Sequence, residues 1–360
     1  MKAAVCTGFG EPLSVEEIVI DPPKVGEVKV KLAACAICHS DIHYMEGAWG
    51  GTLPAVYGHE AAGVVEAVGP GVADLTPGTH VVVTLLRACG SCFFCGQGEA
   101  HLCETRFPLD AQPCLHRADG SPVHQGLRTG AFAEAVVVDR SQVVAIPESV
   151  PLESAALLAC GVITGLGAVV NTAAVPAGSH VAVIGTGGVG LNSVQGAALS
   201  GAESVIALDL SDDKLRAAKA FGATHAINPR ANDAREAVRD LTGGRGADYV
   251  FVTVGAKAAI EQGIGLLRNA GTLVVVGMPA DGVTMEFVAA DFANNAQRII
   301  GSKMGSTRLQ VDVPKLVSLY QQGRLKLDEL ITGRYSLGQI NEACAAVSRG
   351  EALRNVIVFE

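Results

Sequence analysis

Two rhythms of apolar residues run along this chain. Up to about residue 150 the segments are short and alternate, as in 28–32, where Val28, Val30 and Leu32 are separated by Lys29 and Lys31. A period of two with lysines between predicts a strand with one wet face. Segments 61–68, 81–85 and 135–138 read the same way, between turn signals such as Gly69-Pro70-Gly71 and Pro77-Gly78. Residues 126–130, with glycine at both ends, and the residues preceding them read as a surface loop. From about Leu152 the rhythm changes. An Ala- and Leu-rich stretch at 154–170 predicts a helix. Apolar strands at 180–184, 204–208, 249–252 and 272–276 then alternate with helical segments at 190–199, 212–221 and 258–267. Continuously apolar strands separated by helices of about ten residues are the pattern of a parallel sheet covered on both faces. The chain closes with a helix at 313–322 and a strand at 355–359, which returns to the first domain.

A chain of 360 residues exceeds one compact core and fits two domains. Its net charge of −9 argues against nucleic acid or an anionic membrane surface as the main partner. No basic segment followed by an apolar run opens the chain, and no apolar stretch approaches the roughly 20 residues of a membrane helix. The expectation is a cytoplasmic protein. Ten cysteines are many for such a chain, and four of them fall within fifteen residues. In a reducing compartment, clustered cysteines bind metal more often than they form disulfides.

Those four, Cys89, Cys92, Cys95 and Cys103, are spaced C-x2-C-x2-C-x7-C. Four thiolates close a tetrahedral shell around zinc and leave no open position, which defines a structural site. Iron–sulfur ligation competes, since ferredoxin runs share the first three cysteines, but their fourth follows after three residues and precedes proline. Here it precedes Glu104, and zinc is favoured.

The strand at 180–184 leads into Gly185-Thr186-Gly187-Gly188-Val189-Gly190 and then a helix. Gly185 permits the tight turn, Gly187 lets backbone approach a pyrophosphate, and Gly190 lets helix and strand pack closely. The amides of Gly188 and Val189 open a helix whose positive end suits phosphates. A second strand ends in Asp209, nineteen residues beyond Gly190, where a carboxylate would receive ribose hydroxyls. An acid there repels a 2′-phosphate, so NAD is expected rather than NADP. Lys214, one turn into the next helix, could add a ribose contact; alone it would be an ordinary surface lysine.

Three further residues with zinc-ligand chemistry lie far apart: Cys38 in Cys38-His39-Ser40-Asp41, His59 in Gly58-His59-Glu60, and Cys160 in Cys160-Gly161. Spacing does not show that they meet, and a buried cysteine is by default a small hydrophobe. Taken with the four-cysteine lobe, the glycine fingerprint, Gly58-His59-Glu60-Ala61-Ala62-Gly63 and Cys160-Gly161-Val162-Ile163-Thr164-Gly165, however, they make the whole chain resemble the zinc-containing medium-chain alcohol dehydrogenases. That resemblance implies an α/β fold: a GroES-like β-rich catalytic domain at 1–161 and 303–360, carrying the zinc lobe, and a Rossmann doubly wound coenzyme domain at 162–302.

The family resemblance also implies roles. Cys38, His59 and Cys160 would bind a catalytic zinc, giving two zincs per chain. Glu60 resembles an acid that can approach that metal, and Asp41 the carboxylate that orients the histidine. Ser40 would hold the substrate hydroxyl, and His43 would complete a proton relay. His39 and Arg354 match pyrophosphate contacts; Thr164, Val254 and Val276 match positions lining the nicotinamide. The implied reaction is hydride transfer between an alcohol and NAD, with zinc as Lewis acid.

Trp49, Leu85 and Met278 match positions of the substrate channel, although each could be plain core. The length of 103–130, and the segments around Gly161 and Thr242-Gly243-Gly244, also resemble mycothiol-dependent formaldehyde dehydrogenases. For such a thiol-adduct substrate, a basic residue such as Arg87 or Arg106 would be expected near the channel mouth. The family resemblance implies a homodimer or homotetramer acting on a small-molecule alcohol or aldehyde. Cys6, Cys35, Cys114 and Cys344 take no role beyond buried or idle thiols.

Overall fold

Where the apolar rhythm changes, the chain also changes domain. A computed structural model describes all 360 residues. Its first unit comprises Met1–Cys160 and Arg308–Glu360, and its second Gly161–Thr307.

The first unit is built on Glu27–Ala36, whose Val28, Val30 and Leu32 are buried. On its wet face Lys29 pairs with Glu66 of the neighbouring strand at 2.9 Å. The sheet runs in the order Val143–Ala145, His80–Val83, Glu60–Val68, Glu27–Ala36, Arg354–Val358, Ile331–Tyr335, and Ala135–Asp139 also pairs with Glu27–Ala36. Its register is what matters for the site. Ala36 lies opposite Glu60 and also opposite Val356, while Ala61 lies opposite Val83. Residues just beyond these pairs, Cys38, His59, Thr84 and Arg354, therefore gather at one end of the sheet. A second, six-stranded sheet contains Lys2–Cys6, and both sheets contribute to a core that includes Tyr57 and Phe132.

The second unit is a six-stranded parallel sheet in the order His225–Ile227, Ser204–Leu208, His180–Ile184, Ala247–Val252, Leu267–Val275, Arg298–Gly301. In chain order this is 3-2-1-4-5-6, the doubly wound dinucleotide-binding arrangement. All five residues of Ser204–Leu208 are buried, as a strand covered on both faces requires.

Three sequence expectations need correction. The helix expected over 154–170 is interrupted: Leu152–Ala156 passes through the turn Leu157–Ala159 to Cys160, whose φ −146° and ψ −66° are not helical, and Gly161–Gly167 starts afresh. The tertiary reason is Thr84, whose hydroxyl donates to the Ala159 carbonyl at 2.6 Å and takes the place of a helical amide. The helix expected at 313–322 begins a turn earlier, at Leu309–Gln321, with Pro314 inside it. Asp312 makes this start possible by accepting from Arg308 N at 2.9 Å. The loop at 126–130 is not merely superficial, since Thr129 and Gly130 are buried and the Gln125 amide donates to Thr129 O at 3.1 Å. No single helix is long and apolar enough to cross a membrane.

Candidate metal centres and dinucleotide turn

Asp41 organises the first centre. Cys38 sits at the N-cap of the short helix His39–Met45 in extended conformation, with its side chain turned to the backbone of Asp41 in a capping box. Asp41, wholly buried, reaches back to accept from Cys38 N at 2.9 Å through Oδ2. Its Oδ1 accepts from Gly58 N at 2.9 Å and faces His59 Nδ1 at 3.0 Å. A carboxylate acceptor places the imidazole proton on Nδ1 and turns the lone pair of Nε2 the other way. That Nε2 is buried and has no hydrogen-bond partner. Gly58 has φ +89°, and a Cβ there would lie 2.6 Å from Phe132 N, so only glycine brings this amide to Asp41.

The ligand atoms of Cys38, His59, Glu60 and Cys160 lie within 4.8 Å of one another, all from buried residues. Glu60 pairs with Arg354, itself buried, which the antiparallel register sets beside Cys38. Burial pushes the Glu60 carboxyl up to about 7, against the pull of the Arg354 guanidinium. The Cys38 thiol is held well below its ordinary range, chiefly by its hydrogen bond with Cys160, whose own thiol is raised by that bond and by burial. Burial opposes protonation of His59, but the charge and hydrogen bond of Asp41, together with the neighbouring Cys38 thiol, outweigh it and raise its pKa. Two thiol sulfurs, which are soft donors, and an orphaned imidazole nitrogen, a borderline one, suit zinc as three protein ligands.

Ser40 Oγ lies 3.7 Å from Cys38 Sγ. His43 follows one turn later on the same helix face, its ring 4.8 Å from that of Trp49. His39 is exposed at the start of this helix, and Leu85 is half-buried just after Thr84. These residues thus share the first unit with the candidate ligands.

In the lobe, the sulfurs of Cys89, Cys92, Cys95 and Cys103 also lie within 4.8 Å of one another. Cys92 Sγ and Cys103 Sγ are 3.8 Å apart. That equals the edge of a tetrahedron with zinc–sulfur bonds of about 2.3 Å, which is about 3.8 Å. Backbone amides point at the sulfurs, Cys92 N to Cys89 Sγ at 3.2 Å and Cys89 N to Cys103 Sγ at 3.4 Å. Hydrogen bonds from Thr105 and from the Ser91 and Cys92 amides bring the Cys89 thiol down to about 5, whereas burial lifts Cys95 to about 12. All ten cysteines are free of disulfides.

The dinucleotide turn belongs to the second unit. Gly185 has φ +88°, and a Cβ on Gly190 would lie 1.8 Å from Gly185 O. Around Gly187 a Cβ would meet nothing, and no side chain caps the helix Gly188–Leu199. Its first amides, including that of Val189, remain available to an anion. Asp209 accepts from Thr186 N at 2.7 Å and from Ser211 N at 2.9 Å, so it also holds the turn in place. Val254 packs against Gly185; Val276 is buried, and its amide donates to Val252 O at 2.9 Å. Thr164 donates to Met304 Sδ at 3.6 Å, and Lys214 is half-buried in the first turn after Ser211. Met278 is 63% exposed on this unit, which excludes the plain-core reading of that residue.

Arg87 corrects another expectation. It is 2% exposed and bonded to Asp110, Gln142 and Arg128 O, so it is no basic residue at a channel mouth. Thr84 and Gln142 had no signal in the sequence, and the structural role of Arg87 had none, because their partners lie in distant segments.

Comparison with known proteins agrees with this geometry. Residues 24–148 match the alcohol dehydrogenase GroES-like domain and residues 188–322 the zinc-binding dehydrogenase family. An NDMA-dependent alcohol dehydrogenase of Amycolatopsis methanolica is 37% identical over 99% of this chain and 98% of its own length. The crystal structure of an alcohol dehydrogenase zinc-binding domain protein from Burkholderia ambifaria superposes with a TM-score of 0.95 at 39% identity, covering 100% of this chain and 98% of that one. Benzyl alcohol dehydrogenase from Acinetobacter calcoaceticus gives 0.94 at 31% identity, covering 100% and 99%. The chain belongs to the zinc-containing medium-chain alcohol dehydrogenase family, and it is an oxidoreductase.

Proposed function

We propose that this oxidoreductase moves a hydride between a primary or secondary alcohol and NAD, with Cys38, His59 and Cys160 holding a catalytic zinc and the four-cysteine lobe a structural one. The observation that carries the reading is His59, with Nδ1 committed to buried Asp41 and Nε2 buried without a partner among two thiols. Bound there, zinc supplies Lewis acidity toward an alcohol oxygen, and NAD supplies the hydride acceptor.

The chain's own residues do the rest. Asp41 keeps the Nδ1 proton in place, so the histidine faces the metal with a lone pair. Arg354 neutralises Glu60 and keeps a second carboxylate charge from going uncompensated beside the thiols. Ser40 Oγ takes the hydroxyl proton, and His43 passes it toward water, packed against Trp49. Asp209 stiffens the glycine turn and disfavours a 2′-phosphate, while the uncapped helix start receives the pyrophosphate. Cytoplasmic location and a homodimer or homotetramer complete the proposal.

The test is zinc content per chain together with a panel of alcohols and aldehydes, offered NAD or NADP, with and without NDMA and low-molecular-weight thiols. About two zincs and thiol-independent alcohol oxidation with NAD are expected. Turnover of formaldehyde only with a thiol would replace the reading by a thiol-adduct dehydrogenase. Alcohol oxidation that fails with NAD and needs NDMA would overturn the proposed cofactor role.

A further inference from the structure

The four-cysteine lobe and the Cys38–His59–Cys160 centre are separate clusters, yet one buried side chain contacts the supports of both. We propose that Arg87 is a positioning residue through which the lobe sets how firmly the second centre holds its metal; this rests on reading that centre as a zinc site.

Arg87 stands two residues before Cys89 and is 2% exposed. Its Nη1 donates to Asp110 Oδ1 at 2.6 Å, and its guanidinium lies 5.6 Å from the Phe107 ring centroid. Asp110 in turn accepts from Phe107 N at 2.9 Å. Phe107 and Asp110 follow Cys103, so these contacts clasp the chain entering the lobe to the chain leaving it.

The rest of the guanidinium turns the other way. Nε donates to Gln142 Oε1 at 2.6 Å, and Nη2 to Arg128 O at 3.0 Å. Two hydrogen-bonded paths start there. In one, the Gln142 amide donates to Thr84 O at 2.7 Å, and the Thr84 hydroxyl donates to Ala159 O at 2.6 Å, next to Cys160. In the other, Arg128 is three residues from Ala131, whose amide donates to Gly58 O at 2.9 Å, next to His59. The Gln142 amide also donates to Arg128 O at 3.1 Å and braces the two paths together. Gln142 and Thr84 are wholly buried, so no water can replace a lost bond without rearrangement.

A planar guanidinium can serve an acid and two carbonyl-type acceptors at once, because its five donors are fixed in one fork. Lysine could keep the charge against Asp110 but not the fork. Arg87→Lys therefore separates the two faces of the hub. Thr84→Val severs only the Cys160 path, and Thr84→Ser retains it.

The experiment follows metal release from the full-length, zinc-loaded protein to a competing chelator. Cobalt-substituted protein distinguishes the sites, since four thiolates and a two-thiolate, one-imidazole set absorb differently. For Arg87→Lys we expect the lobe metal to leave at the wild-type rate and the second-centre metal to leave about tenfold faster or more, with a shifted cobalt spectrum at that centre alone. Thr84→Val should move the same centre in the same direction, and Thr84→Ser should restore it. Wild-type release and spectrum in both Arg87→Lys and Thr84→Val would overturn the proposal, as would equal acceleration at both sites. If Arg87→Lys does not fold, Gln142→Leu, which removes both the acceptor of Arg87 Nε and the donor to Thr84 O, takes its place with the same expected and overturning results. A wild-type protein that binds metal only in the lobe would instead overturn the reading of the second centre.

Discussion

Replacing Asp41 by asparagine keeps the size of a buried side chain but removes its charge and one acceptor. The carboxylate accepts three hydrogen bonds, from Cys38 N at 2.9 Å, Gly58 N at 2.9 Å and His59 Nδ1 at 3.0 Å. Asparagine offers one oxygen and one NH2 group. If its oxygen stays with Gly58 and His59, the NH2 meets the Cys38 N–H, and a buried donor loses its acceptor. If it turns round, the NH2 meets His59 Nδ1 and drives the proton to Nε2, the atom the metal needs. Either arrangement leaves at least one buried donor unsatisfied, at about 1–3 kcal/mol each, and weakens what had been charge-assisted bonds. We expect a loss of about 2–4 kcal/mol in unfolding free energy and a 10–100-fold loss of zinc affinity at this centre. Urea unfolding of the zinc-loaded and metal-free proteins gives the first number, and competition against a chelator of known affinity gives the second. The lobe should keep its metal. An Asp41→Asn protein that binds both zincs as tightly as wild type would refute the assignment of Asp41 as the orienting partner of His59.

Other expectations follow from the same geometry. Gly58→Ala must put a Cβ 2.6 Å from Phe132 N at φ +89°; it should cost about 1–3 kcal/mol or more in urea unfolding, and an unchanged midpoint would contradict the packing described. Asp209→Ala should weaken NAD binding about tenfold to a hundredfold by calorimetry and narrow the preference over NADP; unchanged affinities for both would remove Asp209 from the site. Asp248, although burial alone would raise it, is held below its usual range by His180 N and Arg268. Its stabilising contribution is therefore present above the unfolded carboxyl pKa of about 3.9 and is lost as the pH falls through the folded value. Asp248→Asn should thus destabilise at neutral pH, with the gap from wild type closing in acid; a gap independent of pH would refute this.

Much of this protein could be read from short stretches of chain. The strand at 180–184 and its glycine turn, the strand at 204–208 ending at Asp209, and the cysteines at 89–103 all act within a few turns of backbone. Period-two lysines marked the wet face of Glu27–Ala36, and continuous apolar runs marked the buried parallel sheet. Each signal is local because the physics behind it is local: pleat, turn sterics, helix start and the reach of a chelating loop.

Where Cys38, His59 and Cys160 meet could be anticipated only through family resemblance, because no spacing in the chain encodes it. Sheet register brings them together, setting Ala36 against Glu60 and Ala61 against Val83, so that Thr84 comes to hold Ala159 and break the expected helix at Cys160. The pairing of Glu60 with Arg354 and the hub at Arg87 arise in the same way. The sequence by itself determined the wet-faced strand, the buried parallel strands, the glycine turn and the cysteine lobe, since those depend on neighbours along the chain. Only the tertiary structure decided which buried polar groups answer one another, since a hydrogen bond depends on a few tenths of an ångström between residues as far apart in the chain as Glu60 and Arg354.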